Sequence, residues 1–256
     1  MIDVQNITKT FKVSRKQKKE MGNDFSGNKI IAVDHISFQC QPGRILGLIG
    51  PNGAGKTTTL RMIATMITPS SGTITVNDND SVKEGQKVRQ NLGFLSSNTG
   101  LYDRLTADEM VKYYADLYGM DTQTYTTRRD ETFSSLEMHD FSSRRIGKLS
   151  SGMKQKVSIA RTIIHDPSVV VFDEPTTGLD VMTSRSIIKL ILSCRDAGKT
   201  VIFSTHRMGE VSSLCDDITI IHRGKLYFNG SYSDFDKQME SPSVEDEFIR
   251  LTEGIS

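Results

Sequence analysis

The sequence predicts an α/β fold: a largely parallel sheet covered on both faces, with an antiparallel β subdomain beside it and a helical subdomain inserted into it. Three observations carry that expectation. "RILGLIG", "SVVVFD" and "TVIFST" are continuous apolar runs of strand length, the pattern of strands buried on both faces. Helical periodicities lie between several of the strand-like segments, as parallel strands require. The interval 97–151 departs from this alternation, being mostly helical with polar connections.

In chain order, "IDVQNI" opens as a half-exposed strand, and residues 14–29, basic then polar, read as a solvated loop. "IAVDHISFQC" and "RILGLIG" follow as strands, then a helix over about 56–67 and the strand "GTITVN". The N-terminal segment and the end of "TITVN" are expected to form a small antiparallel sheet. "NLGFL" is a short strand leading to a polar loop at 96–100, after which helices are expected at about 106–118, 127–138 and 152–165. "SVVVFD", a helix at about 183–197, "TVIFST", a helix at about 208–215 and "DITIIHRGKLYFNG" complete the series. These readings make residues 1–230 one domain, its core at about 1–96 and 152–230 and its helical part at about 97–151. The tail 231–256 carries one amphipathic piece, "SVEDEFIRLTEG".

The 32 basic and 31 acidic side chains leave a net charge of +1 in 256 residues. Such balance gives no bulk attraction to nucleic acid or to an anionic bilayer. Three scattered cysteines, an odd number without metal-ligand spacing, fit a reducing, cytosolic setting. The N-terminus lacks the pattern of a signal peptide, and no apolar run approaches the ~20 residues of a membrane span.

"GPNGAGKT", residues 50–57, fits G-x-x-x-x-G-K-[ST] between an apolar strand and a helix. Glycines there let backbone N–H groups curl around phosphate oxygens at a positive helix end. Asn52, Gly53, Ala54, Gly55, Lys56, Thr57 and Thr58 are therefore expected to bind a nucleotide. Lys56 reaches the β and γ phosphates, and the Thr57 hydroxyl binds Mg²⁺. "SVVVFDE" puts two carboxylates at a strand end: Asp173 to hold the metal through water, Glu174 to polarise the attacking water. His206, ending "TVIFSTH", is expected to sense the γ-phosphate. Together these are the parts of a P-loop NTPase. No Asn-Lys-x-Asp motif follows the phosphate loop, which argues against a G protein.

"LSSGMKQKVSIARTIIHDPSVVVFDEPTTGLD", residues 149–180, resembles the signature motif, carboxylate strand and D-loop of ATP-binding cassette (ABC) proteins. With "GPNGAGKTTTLRM" and "FSTH" the resemblance covers nearly the entire chain in the family's order. It implies an ATPase that uses ATP and Mg²⁺, with Glu174, His206 and Lys56 catalytic, and Thr57 and Asp173 at the metal. It also implies that two copies pack head to tail, so that Ser150, Ser151 and Gly152 of one contact ATP held by the other, with Asp180 crossing between them. Phe11 matches the aromatic that stacks on adenine, with Val33 on the same face; packing within the small sheet is the other account of Phe11.

"GMKQ" in place of the commoner signature ending looks like exporter cassettes that pair with a separate membrane subunit. "DLYGM", "FSTHRMGEVSSLCD" and "EDEFIRLT" are most similar to the NatA type, the sodium-exporting cassettes. The resemblance thus implies a NatB-like integral membrane permease as partner, no nucleic acid, and a place on the cytoplasmic face of the membrane. Where the family has a Q-loop glutamine, this chain has Ser97, followed by Asn98. Leu101, Tyr102 and Leu105, just beyond, are candidates for the partner groove, with buried helix packing an equally good account of Leu105.

Overall fold

A computed structural model describes residues 1–13, 28–96 and 100–253. Ser97, Asn98 and nearly all of the loop expected at 14–29 lie outside the described residues. The elements begin with β1 (Ile2–Lys12), β2 (Lys29–Cys40), β3 (Ile45–Ile49), α1 (Lys56–Ile63), β4 (Ser71–Val76), β5 (Asn79–Asp80), α2 (Gly85–Asn91) and β6 (Leu92–Leu95). They continue with α3 (Ala107–Leu117), α4 (Thr122–Ser135), α5 (Ser151–Ile163), β7 (Val169–Asp173), α6 (Val181–Asp196) and β8 (Thr200–Thr205). α7 (Val211–Leu214), β9 (Asp217–His222), β10 (Lys225–Ser231), α8 (Tyr232–Gln238) and α9 (Val244–Glu253) end the chain. It divides into two compact units, one of residues 1–40, 46–88 and 205–256, the other of 41–45 and 89–204.

In the first unit, β2, β1, β4 and β5 form an antiparallel sheet in that order. Ile2, Val4 and Ile7 of β1 are buried while Gln5 and Asn6 face solvent, the half-exposed pattern expected of such strands. β3 is buried throughout and pairs in parallel with β9, from Leu46 opposite Asp217 to Ile49 opposite Ile220. The long segment 217–230 is two strands rather than one. Arg223 and Gly224 both take left-handed backbone at its middle, which suits a tight hairpin turn between β9 and β10.

The amphipathic tail piece forms α9, which packs against the Met208–Glu210 turn. Phe248 meets the His222 ring edge-on at 6.1 Å between centroids. Glu247 is buried and accepts hydrogen bonds from the Glu240 and Ser241 amides at 3.2 and 3.1 Å and from Arg250 Nε at 3.0 Å. The Arg250 guanidinium, above all, pushes the Glu247 carboxyl down from 4.5 to about 2, against the opposing effect of burial. A carboxyl lowered on folding stabilises the folded state above its ordinary pKa and ceases to do so as pH falls through the lowered value. The amide protection factors of α9, which correct exchange for its intrinsic pH dependence, are therefore expected to fall progressively between pH 4.5 and 2, and Glu247→Gln to remove that pH dependence.

In the second unit, β6, β7 and β8 form a parallel sheet, running from Leu92 opposite Val169 and from Val169 opposite Thr200. Every residue of β7 and β8 is buried, as two-sided cover demands. The same unit holds the helical segment. Thr106 and Glu109 close a capping box at the start of α3. α4 begins five residues before the sequence pattern places it, because Asp121 accepts the Thr124 amide at 2.9 Å and caps a polar first turn with no apolar period. Arg161 of α5 is buried, donates to Gly100 O at 3.1 Å and to the Tyr114 hydroxyl at 3.2 Å, and lies over the Tyr114 ring.

Candidate functional site

The singled-out residues fall in both units, and each group is built from its own elements. In the first unit, β3 runs into the loop 50–55 and α1 begins at Lys56. A Cβ on Gly50 would stand 2.1 Å from the Ile221 carbonyl oxygen, so only glycine allows the chain to leave the strand here. Gly55, at φ 109, caps α1 without a side chain, and a Cβ there would meet the Ala32 carbonyl at 2.5 Å. α1 has neither a side-chain cap nor an acidic residue in its first turn. That leaves its positive end to an anion.

Lys56 is only 4% exposed, and its ammonium donates to the carbonyls of Gly50 at 2.6 Å and Pro51 at 3.1 Å. The cation is thereby held across the loop. Thr57 and Thr58 are half-buried in the first turn, Ala54 is buried, and Asn52 and Gly53 are exposed. This cradle fits a phosphate chain. Val33 is wholly buried, its Cγ2 3.5 Å from where a Gly55 Cβ would lie, so its side chain supports the loop. Phe11 is 42% exposed on β1, with the Lys9 ammonium 5.3 Å from its ring centre. His206 is exposed, one residue beyond the end of β8.

In the second unit, β7 and β8 pair through to Asp173 opposite Ser204. Asp173 is 1% exposed, and the Ser204 hydroxyl donates to its Oδ1 at 2.8 Å. The same hydroxyl oxygen accepts the Glu174 amide at 3.1 Å. Glu174 takes φ 51, a left-handed conformation that costs a non-glycine residue about 1–3 kcal/mol and recurs where a side chain must be aimed. The Thr177 hydroxyl donates to its Oε2 at 3.2 Å. One serine thus anchors both carboxylate residues, and sequence reasoning missed it. The available signal was register: Ser204 ends the neighbouring strand opposite Asp173. Ser204→Ala is expected to lower ATP turnover about tenfold, in line with the ~1–3 kcal/mol lost when buried polar groups lose a partner. A steady-state phosphate-release assay on the folded variant checks this.

Ser150 caps α5, its hydroxyl oxygen accepting the Met153 amide at 3.2 Å, with Ser151 exposed beside it. Asp180 caps α6 and takes both the amide and the hydroxyl of Thr183, at 2.9 and 2.8 Å. Those two bonds hold its carboxyl below the usual carboxylate range. A Cβ on Gly152 would lie 2.9 Å from Thr183 Oγ1 and 3.6 Å from Asp180 Oδ2. The structure therefore joins two motifs that the sequence keeps 28 residues apart, and the signature glycine is the contact that permits it. Tyr102 is exposed, with Tyr113 edge-on to it at 6.2 Å and also exposed.

The model of the ABC transporter family matches residues 33–177, more than half of the chain. The chain belongs to the ABC transporter family. Among curated ABC proteins, the ATP-binding protein NatA of Bacillus subtilis is 42% identical over 227 residues, which span 88% of this chain and 92% of NatA. The probable multidrug ABC transporter ATP-binding protein YbhF of Escherichia coli is 32% identical over 92% of this chain, which matches 41% of YbhF. Among solved ABC cassettes, the dimeric post-hydrolysis state of MJ0796 bound to ADP and Pi aligns at TM-score 0.77 and 25% identity. It covers 90% of this chain and 98% of its own. As an ABC cassette the chain is an ATP-binding ATPase on a P-loop NTPase fold. Among the described residues no helix is long and apolar enough to cross a membrane.

Proposed function

We propose that this ABC ATPase is the motor of an exporter, dimerises head to tail on ATP, and drives a NatB-like integral membrane permease that moves Na⁺. The observation that carries the substrate is the near full-length 42% identity to NatA. In this reading residues 1–230 are one ATPase domain, with a core of about 1–96 and 152–230 and a helical part of about 97–151. The protein works at the cytoplasmic face of the membrane, held there by the permease, and takes no nucleic acid. Exposed Tyr102 and Tyr113 belong to the face that meets the permease.

Lys56 and the amides of 52–58 bind the ATP phosphates, and Phe11 and Val33 serve the adenine side. Glu174 takes a proton from the attacking water, and His206 contacts the γ-phosphate. Ser150, Ser151 and Gly152 bind the ATP of the other copy, and Asp180 crosses to it. The Thr57 hydroxyl and the Asp173 carboxylate would hold Mg²⁺, a hard cation suited to such oxygens, which would supply positive charge beside the phosphates. Ser97 and Asn98 stand at the Q-loop position, where a water can replace the absent glutamine because Mg²⁺ commonly keeps several waters. Ser97→Gln is accordingly expected to change ATPase of the isolated subunit by less than about threefold. A change of orders of magnitude in phosphate release would make the loop a catalytic element.

The test of function is reconstitution. The subunit and a co-expressed multispan permease are incorporated into vesicles, and ATP-dependent ²²Na⁺ movement is measured. Sodium movement that stops with Glu174→Gln supports the proposal. Drug movement without sodium movement favours the reading that the YbhF match brings, a multidrug exporter.

A further inference from the structure

β8 ends at Thr205, and the chain turns through His206 and Arg207 into the single helical turn Met208–Glu210. His206 and Arg207 are both exposed, so the turn is not fixed by burying them. It is fixed by Glu210, which is only 7% exposed. Glu210 Oε2 accepts the Thr205 hydroxyl at 2.9 Å, and Oε1 meets Arg207 Nη1 at 3.0 Å. The Thr205 hydroxyl oxygen accepts the Arg207 amide at 2.9 Å, and the Glu210 amide donates to Arg207 O at 3.1 Å. One carboxylate therefore grips the residues on both sides of His206.

Burying a carboxylate is unfavourable unless its oxygens are satisfied, and an apolar residue closes a helical turn without that penalty. Here each oxygen is spent on a neighbour of the same histidine. We infer that Glu210 is a positioning residue for His206: through Thr205 and Arg207 it fixes the backbone that presents the imidazole. The inference rests on the reading of His206 as the group that contacts the γ-phosphate.

The experiment is ATPase kinetics on Glu210→Ala, Glu210→Gln, Thr205→Val and His206→Ala, with Glu210→Ala also placed on the His206→Ala background. Glu210→Ala is expected to lower kcat about tenfold with KM for ATP within about twofold, the split left by an interaction that matters in the transition state. Glu210→Gln keeps an acceptor for Thr205 and is expected to recover part of the loss. On the His206→Ala background, Glu210→Ala should cost nothing further, since residues acting as one unit are not additive. NMR of ¹⁵N-labelled histidine should show the His206 ring signals, assigned by their loss in His206→Ala, shifted or broadened in Glu210→Ala. If Glu210→Ala does not fold, Glu210→Gln and Thr205→Val, which nearly preserve volume, carry the same comparison.

Parent kcat in both glutamate variants overturns the inference. So does a further loss on the His206→Ala background, which would assign Glu210 to general stability. If His206→Ala itself turns over like the parent, the γ-phosphate reading fails. The NMR comparison then still decides whether Glu210 orients the ring.

Discussion

Glu174→Gln is expected to abolish steady-state ATP turnover, by about 10³-fold, while ATP binding survives. A positioned general base contributes about 10²–10⁴ in rate, and glutamine removes the base with almost no change of shape. The surroundings support so clean a result. The Glu174 amide is held by Ser204 and its side chain by the Thr177 hydroxyl, neither of which needs a charge on residue 174. Backbone strain at φ 51 is the same for both side chains. With hydrolysis blocked, ATP should hold two copies together, so the variant should elute as a dimer with ATP and as a monomer without it. Parent-like phosphate release from Glu174→Gln would sink the mechanism.

Lys56→Met is expected to weaken ATP binding about 10²-fold and to leave no measurable hydrolysis, since phosphoryl transfer depends on fixed positive charge around the phosphates. The structure adds a second reason. The Lys56 ammonium also ties down the Gly50 and Pro51 carbonyls, so methionine removes a brace along with a cation. Arginine is no substitute, because its planar fork is larger and differently directed than an ammonium seated between two carbonyls. Thermal melting separates binding from folding. At an ATP concentration above the parent's Kd and well below the variant's, ATP should raise the Tm of the parent through mass action and leave that of Lys56→Met nearly unmoved. An equal ATP-induced shift in both would refute the role given to Lys56.

Much of this was legible in the sequence, because the strongest signals are local. The glycine-lysine loop lies between a strand and a helix, and apolar runs mark the buried strands without reference to anything distant. Turn chemistry was harder to read. Asp121 starts α4 on a polar stretch with no apolar period, and the hairpin at Arg223 and Gly224 interrupts a segment whose β-propensity never falters. Least legible were contacts set by register or by chain return. Ser204 serves Asp173 and Glu174 because β7 and β8 align, and Gly152 is small because Thr183 stands against it. Neither fact follows from residue type or spacing along the chain. The antiparallel subdomain shows both sides of this. Alternation in β1 announces a half-buried strand, whereas the order β2, β1, β4, β5 depends on pairings that no single segment encodes.

The contact of Gly152 with Thr183 and Asp180 has a mechanical meaning for the proposed dimer. In that dimer the start of α5 and the cap of α6 would be the two grips that one copy lays on its neighbour, and they lie so close that a Cβ on Gly152 would stand 2.9 Å from Thr183 Oγ1. Two grips packed on one knuckle would move together. In the proposed dimer, a movement that loosens the hold on a neighbour's nucleotide would also draw Asp180 away, so that separation at each nucleotide would be a single event. A valine wedged at residue 152 would split that knuckle and turn one release into two.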